Sequence, residues 1–335
     1  MALDVKVKID LTRPVGKPGF GTPLILEENA TVTIDYIEVA TAEEVVNAGF
    51  ADTSAVYKAA ALMFAQEHAP TKIAVCAVSE AATAALADER LIGKDWRQLI
   101  VVNNDETTSA IADIMGKVEK LEGKMFFANL DVDDKTAITV TDIRRTVLFY
   151  CNATEDAPVP VAALVGETAG REAGSFTYKN LILVGIEPQD LLEADITAIH
   201  NKGGITFVTK AGDNVTSEGK VAGGEFIDIV DSEDYIIQQL AYKSQKVMNK
   251  NGKIPYDNNG IALLESVAVD VLQTAYNNGM IATKEDGSPN YTVSYALRSA
   301  TKEEDRTKRR YIGGSFSFAL MGAIHEAVIT GTITA

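Results

Sequence analysis

Residues 54–79, SAVYKAAALMFAQEHAPTKIAVCAVS, contain a helix that leads directly into a strand. Ser54 is a suitable N-cap, the apolar residues after it recur with helical spacing, and Pro70 ends the helix. The next residues, KIAVCAVS, form an apolar run that is typical of a strand. A helix followed by such a strand predicts one repeat of a β-α-β fold, in which helices cover a largely parallel sheet.

The same alternation continues on both sides, from about residue 31 to residue 152. An alanine-rich helix near residues 81–91 precedes the run QLIVVNN, and the helical pattern TSAIADIMGKVEKLEG precedes KMFFANL. The apolar run RTVLFYC follows. We therefore predict an α/β domain whose sheet is rich in parallel strands.

The pattern changes after GETAGREAGS to a mixed α+β module. Three helices are predicted, at residues 188–201, 232–251 and 260–278, with Ser232 as the cap of the second. The predicted strands are GITFVTK, GEFIDIV, NYTVSYA, GSFSFAL and HEAVITGTITA. The predicted fold class is therefore α/β plus α+β, the second module having an antiparallel sheet.

Both ends of the chain have the pattern of exposed strands. Apolar residues alternate with charged ones at the start, which is the period of a half-buried strand, and a connector rich in proline and glycine follows, TRPVGKPGFGTPLI. The ending AVITGTITA is uncharged and consists of β-branched or small residues. A strand of this kind leaves an open edge, which is a template for pairing with another chain.

The composition limits the class of protein. The chain has 335 residues, of which 46% are hydrophobic, so it has enough apolar residues for one large core or two medium ones. Its formal net charge of -16 argues against nucleic-acid binding. We expect no membrane insertion and no signal peptide, because no apolar run approaches the roughly 20 residues of a membrane span and MALDVKVKID is charged. A cytosolic origin is expected.

Residues that could carry chemistry do not form a recognisable site. Cys76 and Cys151 lie in apolar runs and are interpreted as buried thiols. His68, His200 and His325 lack the spacing of metal ligands. The loop VGKPGFGTP fails the spacing of a phosphate-binding loop, and NLDVDDK reads as a solvated acidic turn. We therefore predict no catalytic residue, no metal and no cofactor.

The densest charge run is KEEDRTKRR, at residues 302–310. One interpretation is a solvated loop. The other is an inter-subunit or tube-facing contact, because basic residues concentrated on an acidic protein favour an acidic partner. The residues concerned are Arg306, Lys308, Arg309 and Arg310.

Four stretches carry a resemblance to a known family. They are GREAGSFTYKNLILVGIEPQDL, EGKVAGGEFIDIVDSEDYI, NGKIPYDNNGIALLESVAVDVL and RRYIGGSFSFALMGAIHEAVITGTITA. In this order they resemble the conserved half of contractile tail sheath proteins, which form the outer tube of contractile phage tails and of phage-tail-like bacteriocins. The resemblance covers roughly residues 166–335. Residues 31–152 correspond to the family's variable outward domain in position only.

The resemblance implies a division of the chain into four parts. Residues 1–21 would be an N-terminal arm, 22–165 the outer α/β domain, 166–326 the conserved sheath domain and 327–335 a C-terminal arm. In the family, such arms complete a sheet in neighbouring subunits and link stacked hexameric rings. The arm strands would be formed by Val5, Val7, Ile9, Leu11, Val328, Ile329, Thr330, Gly331 and Ile333. The flexible linker would contain Gly16, Pro18, Gly19 and Gly21.

The resemblance also implies partners and a mechanism. The sheath would assemble in the bacterial cytoplasm around an inner tail tube and become part of a phage tail or a released bacteriocin. A baseplate signal would trigger a contraction that drives the tube through a cell envelope, and a tail terminator would be a further partner. Because the extended state is a kinetic trap, no nucleotide is needed. Two helices are candidates for the tube contact, at residues 232–251 and 260–278. We favour the lysine-bearing end of the first, which would complement an acidic tube and contains Lys243, Lys246, Lys250 and Lys253.

A second hypothesis is a Rossmann-like enzyme or small-molecule-binding protein. Loops that follow the predicted strands carry polar side chains, on the side where such sheets bind ligands. The residues are Ser79, Asn103, Asn104, Asp105 and Asp131. Fold-level analogy is the only support for this hypothesis.

Overall fold

The computed structural model describes residues 21–102, 108–134 and 142–325. The strands are β1 (Thr22–Glu27), β2 (Ile34–Val39), β3 (Ile73–Ala77), β4 (Trp96–Val102), β5 (Met125–Leu130), β6 (Thr146–Tyr150), β7 (Gly204–Lys210), β8 (Asp213–Thr216), β9 (Tyr291–Tyr295) and β10 (Gly314–Phe318). The helices are α1 (Ala42–Asn47), α2 (Ala55–Phe64), α3 (Ala82–Ala85), α4 (Glu89–Ile92), α5 (Thr108–Val118), α6 (Val161–Ala169), α7 (Glu193–His200), α8 (Ile227–Lys250), α9 (Asn258–Asn277) and α10 (Glu303–Thr307).

Eight strands form one sheet in the order β2-β3-β1-β4-β5-β6-β7-β8. The strands from β3 to β7 in this order are parallel, and the edge strands β2 and β8 are antiparallel to their neighbours. Every residue of β3, β4 and β6 is buried, because helices and connecting segments cover both faces. The predicted large, mostly parallel sheet is confirmed.

A hydrophobic core lies on each face of this sheet. The first contains α2 and α6, with Ile25 of β1 pointing into it. The second contains residues of α3, α4 and α5, and Leu24 and Leu26 point into it, because successive strand residues face opposite sides. On the first face, α2 and α6 cross at Gly166, where an added Cβ would lie 2.5 Å from Cα of Met63.

The sheet continues past residue 166, where the sequence suggested a boundary. The proposed division between residues 165 and 166 falls inside α6, and β7 pairs with β6 through Phe149 and Ile205. The predicted strand GEFIDIV is also different in the structure, because α8 begins at Ile227. Ser232 lies inside α8, and its hydroxyl donates to the Asp228 carbonyl. We call residues 21–226 the sheet unit and residues 227–325 the C-terminal unit.

The C-terminal unit is a helical hairpin with a β-ribbon on one side. Ile236 and Leu240 of α8 pack against Val271 and Leu272 of α9 in a third core. The antiparallel ribbon β9–β10 covers α9 with half-buried side chains. These are Tyr291, Val293, Tyr295, Phe316 and Phe318. The predicted strands NYTVSYA and GSFSFAL are confirmed.

Buried ion pairs join the two units. Arg97, at the start of β4, has a side chain only 5% exposed, and its guanidinium donates to Asp231 and, at 2.7 Å, to Asp234 of α8. Arg145 donates twice to Asp234, at 2.9 and 3.0 Å. The Tyr178 hydroxyl donates to Asp231 at 3.0 Å. The first turns of α8 are therefore held at the edge of the sheet where β4 begins.

Burial raises the pKa of these carboxyl groups, and pairing with the arginines lowers it. Desolvation raises the pKa of Asp231, although the Arg97 guanidinium opposes this shift. At Asp234 burial also acts upwards, but the two arginines outweigh it, and the pKa is lowered from its ordinary value. The pKa of Arg97 is raised, because the attraction of both carboxylates outweighs its desolvation. The guanidinium therefore stays charged inside the protein.

We expect the Arg97→Leu substitution to lower the free energy of unfolding by about 3–5 kcal/mol, because it leaves Asp231 buried without its charged partner. Urea denaturation followed by circular dichroism measures the change. The control is Lys308→Met, which removes the 2.5 Å pair with Glu304 between side chains 59% and 72% exposed. That change should cost about 0.5 kcal/mol or less. Equal effects of the two substitutions would contradict a structural role for the buried pairs.

Candidate interaction surface

The described residues contain no arrangement that points to metal or thiol chemistry. Within these ranges no three His, Cys, Asp or Glu side chains lie together as metal ligands would. Cys76 and Cys151 are buried, as predicted, and desolvation raises their pKa to about 11 and about 12. Both thiols are therefore protonated at neutral pH and poor nucleophiles. No helix in the described ranges is long and apolar enough to cross a membrane.

The edge of the sheet where the parallel strands end is the ligand side in Rossmann-like proteins. Here Glu28, which follows β1, is only 5% exposed, and its carboxylate accepts a hydrogen bond from the Ala82 amide. The connection after β1, ENATVT, contains no glycine that could cradle a phosphate. Ser79 and Asp131 are exposed, whereas Asn103, Asn104 and Asp105 lie outside the described residues.

Most of the predicted arm and linker residues lie outside the described residues. These are Val5, Val7, Ile9, Leu11, Gly16, Pro18, Gly19, Val328, Ile329, Thr330, Gly331 and Ile333. The linker residue Gly21 is described and has a φ of +95°, which favours glycine. A Cβ at Gly21 would lie 2.1 Å from Cβ of Arg97. The chain therefore enters β1 directly against the buried arginine.

The basic run at residues 302–310 is largely paired within itself. Lys308 pairs with Glu304, Arg310 pairs with Asp305 at 2.7 Å, and Arg306 donates to the Thr301 carbonyl. Three of the four predicted contact residues therefore have a partner for their charged group in or next to α10. The fourth, Arg309, is exposed and has a φ of +54°. No hydrogen bond or ion pair of its side chain occurs in the described part of the chain.

The segment that carries this run extends the end of the ribbon, and we call residues 296–313 the ribbon tip. The Ala296 amide donates to the Gly313 carbonyl, which continues the pairing of β9 and β10 by one step. Tyr311 stacks on Tyr295 with ring centroids 5.9 Å apart and holds the base of the tip. Beyond it, Leu297 and Ile312 are 56% and 62% exposed. The tip therefore presents apolar and basic side chains together.

The candidate tube-contact lysines lie at the far end of the helical hairpin. Lys243 pairs with Asp270 of α9 at 2.7 Å, and Lys246 lies 5.5 Å from the ring centroid of Tyr242. Lys250 and Lys253 are exposed and make no ion pair within the described ranges. A groove of about 340 Å³ between the helices is lined by Lys243, Lys246, Val247, Ser266, Val267 and Asp270. The last turns of α8 contain no fully buried residue, so this end projects from the body.

Charge is separated between the two units. The sheet unit, residues 21–226, carries 16 basic and 32 acidic side chains, whereas the C-terminal unit, residues 227–325, carries 11 basic and 12 acidic ones. The C-terminal unit packs where β4 and β6 begin, through Arg97 and Arg145. Acidic residues such as Asp131 and Glu155 follow β5 and β6 at the opposite edge. The excess negative charge therefore lies on the sheet unit, and the C-terminal unit is nearly neutral.

Comparison with known proteins supports a fold that is shared along the chain. No protein-family model matches the chain, and no curated protein does. Among solved structures, the anti-feeding prophage helical sheath in its contracted state matches with a TM-score of 0.73 and 12% identity, over 99% of this chain and 98% of that one. The PVC sheath complex of an extracellular contractile injection system, also contracted, gives 0.69 and 13%, over 99% and 97%.

A crystal structure of the sheath tail protein from Desulfitobacterium hafniense matches with a TM-score of 0.58 and 10% identity, over 92% of this chain and 98% of that one. The chain therefore has the fold of contractile tail sheath proteins, as the resemblance predicted. These matches cover nearly the whole chain, including the region in which the sequence resemblance was only positional.

We expect Arg309→Gly to raise the free energy of unfolding by about 0.5–1 kcal/mol, because glycine adopts a positive φ without the steric cost of a side chain. The matched variant Arg309→Ala removes the same charge but keeps a Cβ, and it should bring no gain. Thermal and urea denaturation of the two variants test the expectation. A glycine variant less stable than the alanine variant would show that the arginine side chain stabilises the tip.

Proposed function

We propose that the chain is the structural subunit of a contractile tail sheath. In this proposal it polymerises as stacked hexameric rings around an inner tube and contracts to drive that tube through a target cell envelope. The observation that carries the proposal is the match along nearly the whole chain to sheath structures, two of them in the contracted state. The role is mechanical, and the energy for contraction is stored in a metastable extended lattice rather than supplied by a nucleotide.

The ribbon β9–β10 supports the exchange of strands between subunits. A two-stranded ribbon is marginal alone in water, and here its apolar face is only half-buried by α9. In an antiparallel pair, hydrogen-bonded and non-hydrogen-bonded residue pairs alternate along the strands. The Ala296–Gly313 and Ala319–Asn290 hydrogen bonds show which pairs of the ribbon are hydrogen-bonded. By this alternation, the backbone groups of Val293 and Phe316 point away from the partner strand. Both edges of the ribbon are therefore suited to accept a further strand.

The arms, residues 1–21 and 327–335, are the proposed donors of these strands. Each added strand forms several backbone hydrogen bonds, worth about 0.5–1.5 kcal/mol each. Alternate apolar side chains, such as Val5 and Val7 or Ile329 and Ile333, add burial. Such links persist while rings rotate and expand, because they depend on the pairing within the joint rather than on the contact between subunit bodies.

The concentration of negative charge on the sheet unit supports assembly through the nearly neutral C-terminal unit. Copies that met through their acidic sheet units would repel one another, since the excess negative charge lies there. The C-terminal unit carries the ribbon, the ribbon tip and the lysine-bearing hairpin. We therefore place the contacts between subunits and with the tube on this unit, and the sheet unit on the outside of the particle.

Strand exchange is tested with Val293→Pro, which removes an amide on the open edge of β9. The subunit should keep its fold, because that amide takes no part in the pairing with β10, but it should no longer form tubes. Val293→Ala, which loses the same side chain yet keeps the amide, should still assemble. Negative-stain microscopy and sedimentation measure assembly, and circular dichroism checks the fold.

The same comparison is made in the donated N-terminal arm, with Val7→Pro and Val7→Ala. The proline variant should not form tubes, and the alanine variant should. Tubes formed equally by the proline and alanine variants would contradict strand exchange at these sites. A wild-type subunit that remains monomeric under all assembly conditions would contradict the proposed function itself.

The tube contact is tested by the double variant Lys246→Glu and Lys250→Glu. It should abolish co-sedimentation with the inner tube protein while the subunit stays folded, because both lysines are exposed at the projecting end of α8. The control reverses two exposed charges on the sheet unit, Lys117→Glu and Lys120→Glu, and should leave binding intact. Unchanged binding of the first variant, or equal loss in both, would refute the assignment of this helix end.

A further inference from the structure

We propose that His325 is a clip that fixes the point at which the C-terminal arm leaves its own subunit, and thereby limits how far the arm reaches. This inference rests on the proposed sheath function, because it gives the arm a role in linking subunits. It adds a positioning residue inside the subunit to that role.

The His325 side chain is held by three groups of the sheet unit and its junction with α8. Its Nε2 lies 2.9 Å from the Thr177 hydroxyl, and its Nδ1 lies 3.2 Å from a Glu218 carboxylate oxygen. The ring meets Phe226 edge to face, with centroids 4.8 Å apart. Only 12% of the side chain is exposed. The imidazole is therefore enclosed, and both of its nitrogens have a partner.

The clip holds in either protonation state of the ring. In the neutral tautomer with the proton on Nδ1, that nitrogen donates to Glu218 and Nε2 accepts from Thr177. In the charged ring both nitrogens donate. The surrounding charges are mixed, since Lys179 lies 3.8 Å from Glu218 and Lys220 lies over the Phe226 ring. The contact therefore fixes the position of His325 and does not depend on the charge of the ring.

The residues just before His325 form a strap from the ribbon to the sheet unit. The Ala319 amide donates to Asn290, and the Met321 amide donates to Met280 at 2.8 Å, so the strap is fixed where it leaves the C-terminal unit. Residues 322–324 are exposed, and Ile324 is 90% exposed. His325 is therefore the attachment of the strap to the sheet unit.

Because the predicted C-terminal arm begins just after this residue, the clip sets its reach. Gly331, in the middle of the predicted strand, is six residues beyond His325 and so lies within about 20 Å of it at 3.3 Å per residue. If His325 were released, the last fixed point of the chain would be Met321, which is ten residues before Gly331. The largest distance between that fixed point and Gly331 would then be about 33 Å. The direction of the arm would be lost as well.

The test compares His325→Ala with Ile324→Ala, a neighbouring change at an exposed side chain. In the isolated subunit, hydrogen exchange followed by mass spectrometry should show the Met321 amide, which donates to Met280, exchanging at least tenfold faster in His325→Ala, because the strap is then held only at its ribbon end. Ile324→Ala should match the wild type. Thr177→Val, which removes one hydrogen bond from the receiving side, should be intermediate. Peptides from α9 should be unaffected in every variant.

Assembly is then measured as the critical concentration for tube formation. It should rise about fivefold or more in His325→Ala, because ordering even one additional residue on binding costs about that factor. Unchanged exchange in His325→Ala overturns the clip. Faster exchange with an unchanged critical concentration overturns its role in positioning the arm. If the wild type and Ile324→Ala both fail to assemble, the proposed function fails, and the exchange data still decide whether His325 holds the strap.

Discussion

The burial of one guanidinium constrains the rest of the structure. Arg97 is the second residue of β4, a central strand of the sheet, and its charge is stable inside the protein only with carboxylates beside it. Asp231 and Asp234 are three residues apart in α8 and so lie on one face of the helix. They hold the first turns of α8 on the sheet. The position of this contact decides where the rest of the C-terminal unit projects.

Both predicted arms adjoin the described structure at this junction. Gly21 packs its backbone against Arg97, with no room for a side chain. At the other end His325 contacts Thr177, whose neighbour Tyr178 donates to Asp231. The first and last described residues of the chain thus both lie close to the junction between the units.

At the ligand edge of the sheet, the described connection after β1 differs from the glycine-rich loop of a dinucleotide-binding enzyme. Glu28 occupies the end of β1 with a buried carboxylate of its own. The opposite edge, where strands begin, carries the arginines that bind α8. The ion pairs that hold α8 therefore lie at the opposite ends of the strands from the ligand edge.

Local patterns in the sequence determined the alternation of helices and strands, the two buried thiols, α9 and the ribbon strands, because spacing and capping act over a few residues. The family resemblance in the sequence added a prediction of the whole fold, that of contractile tail sheath proteins. The extent of the sheet and the start of α8 were decided by the tertiary structure. Ile227 and Val230 in GEFIDIV suit a strand or a helix, and the choice depends on Arg97, 134 residues from Asp231. Contacts between residues so distant leave no periodic trace in the sequence, so only the packed structure reveals them.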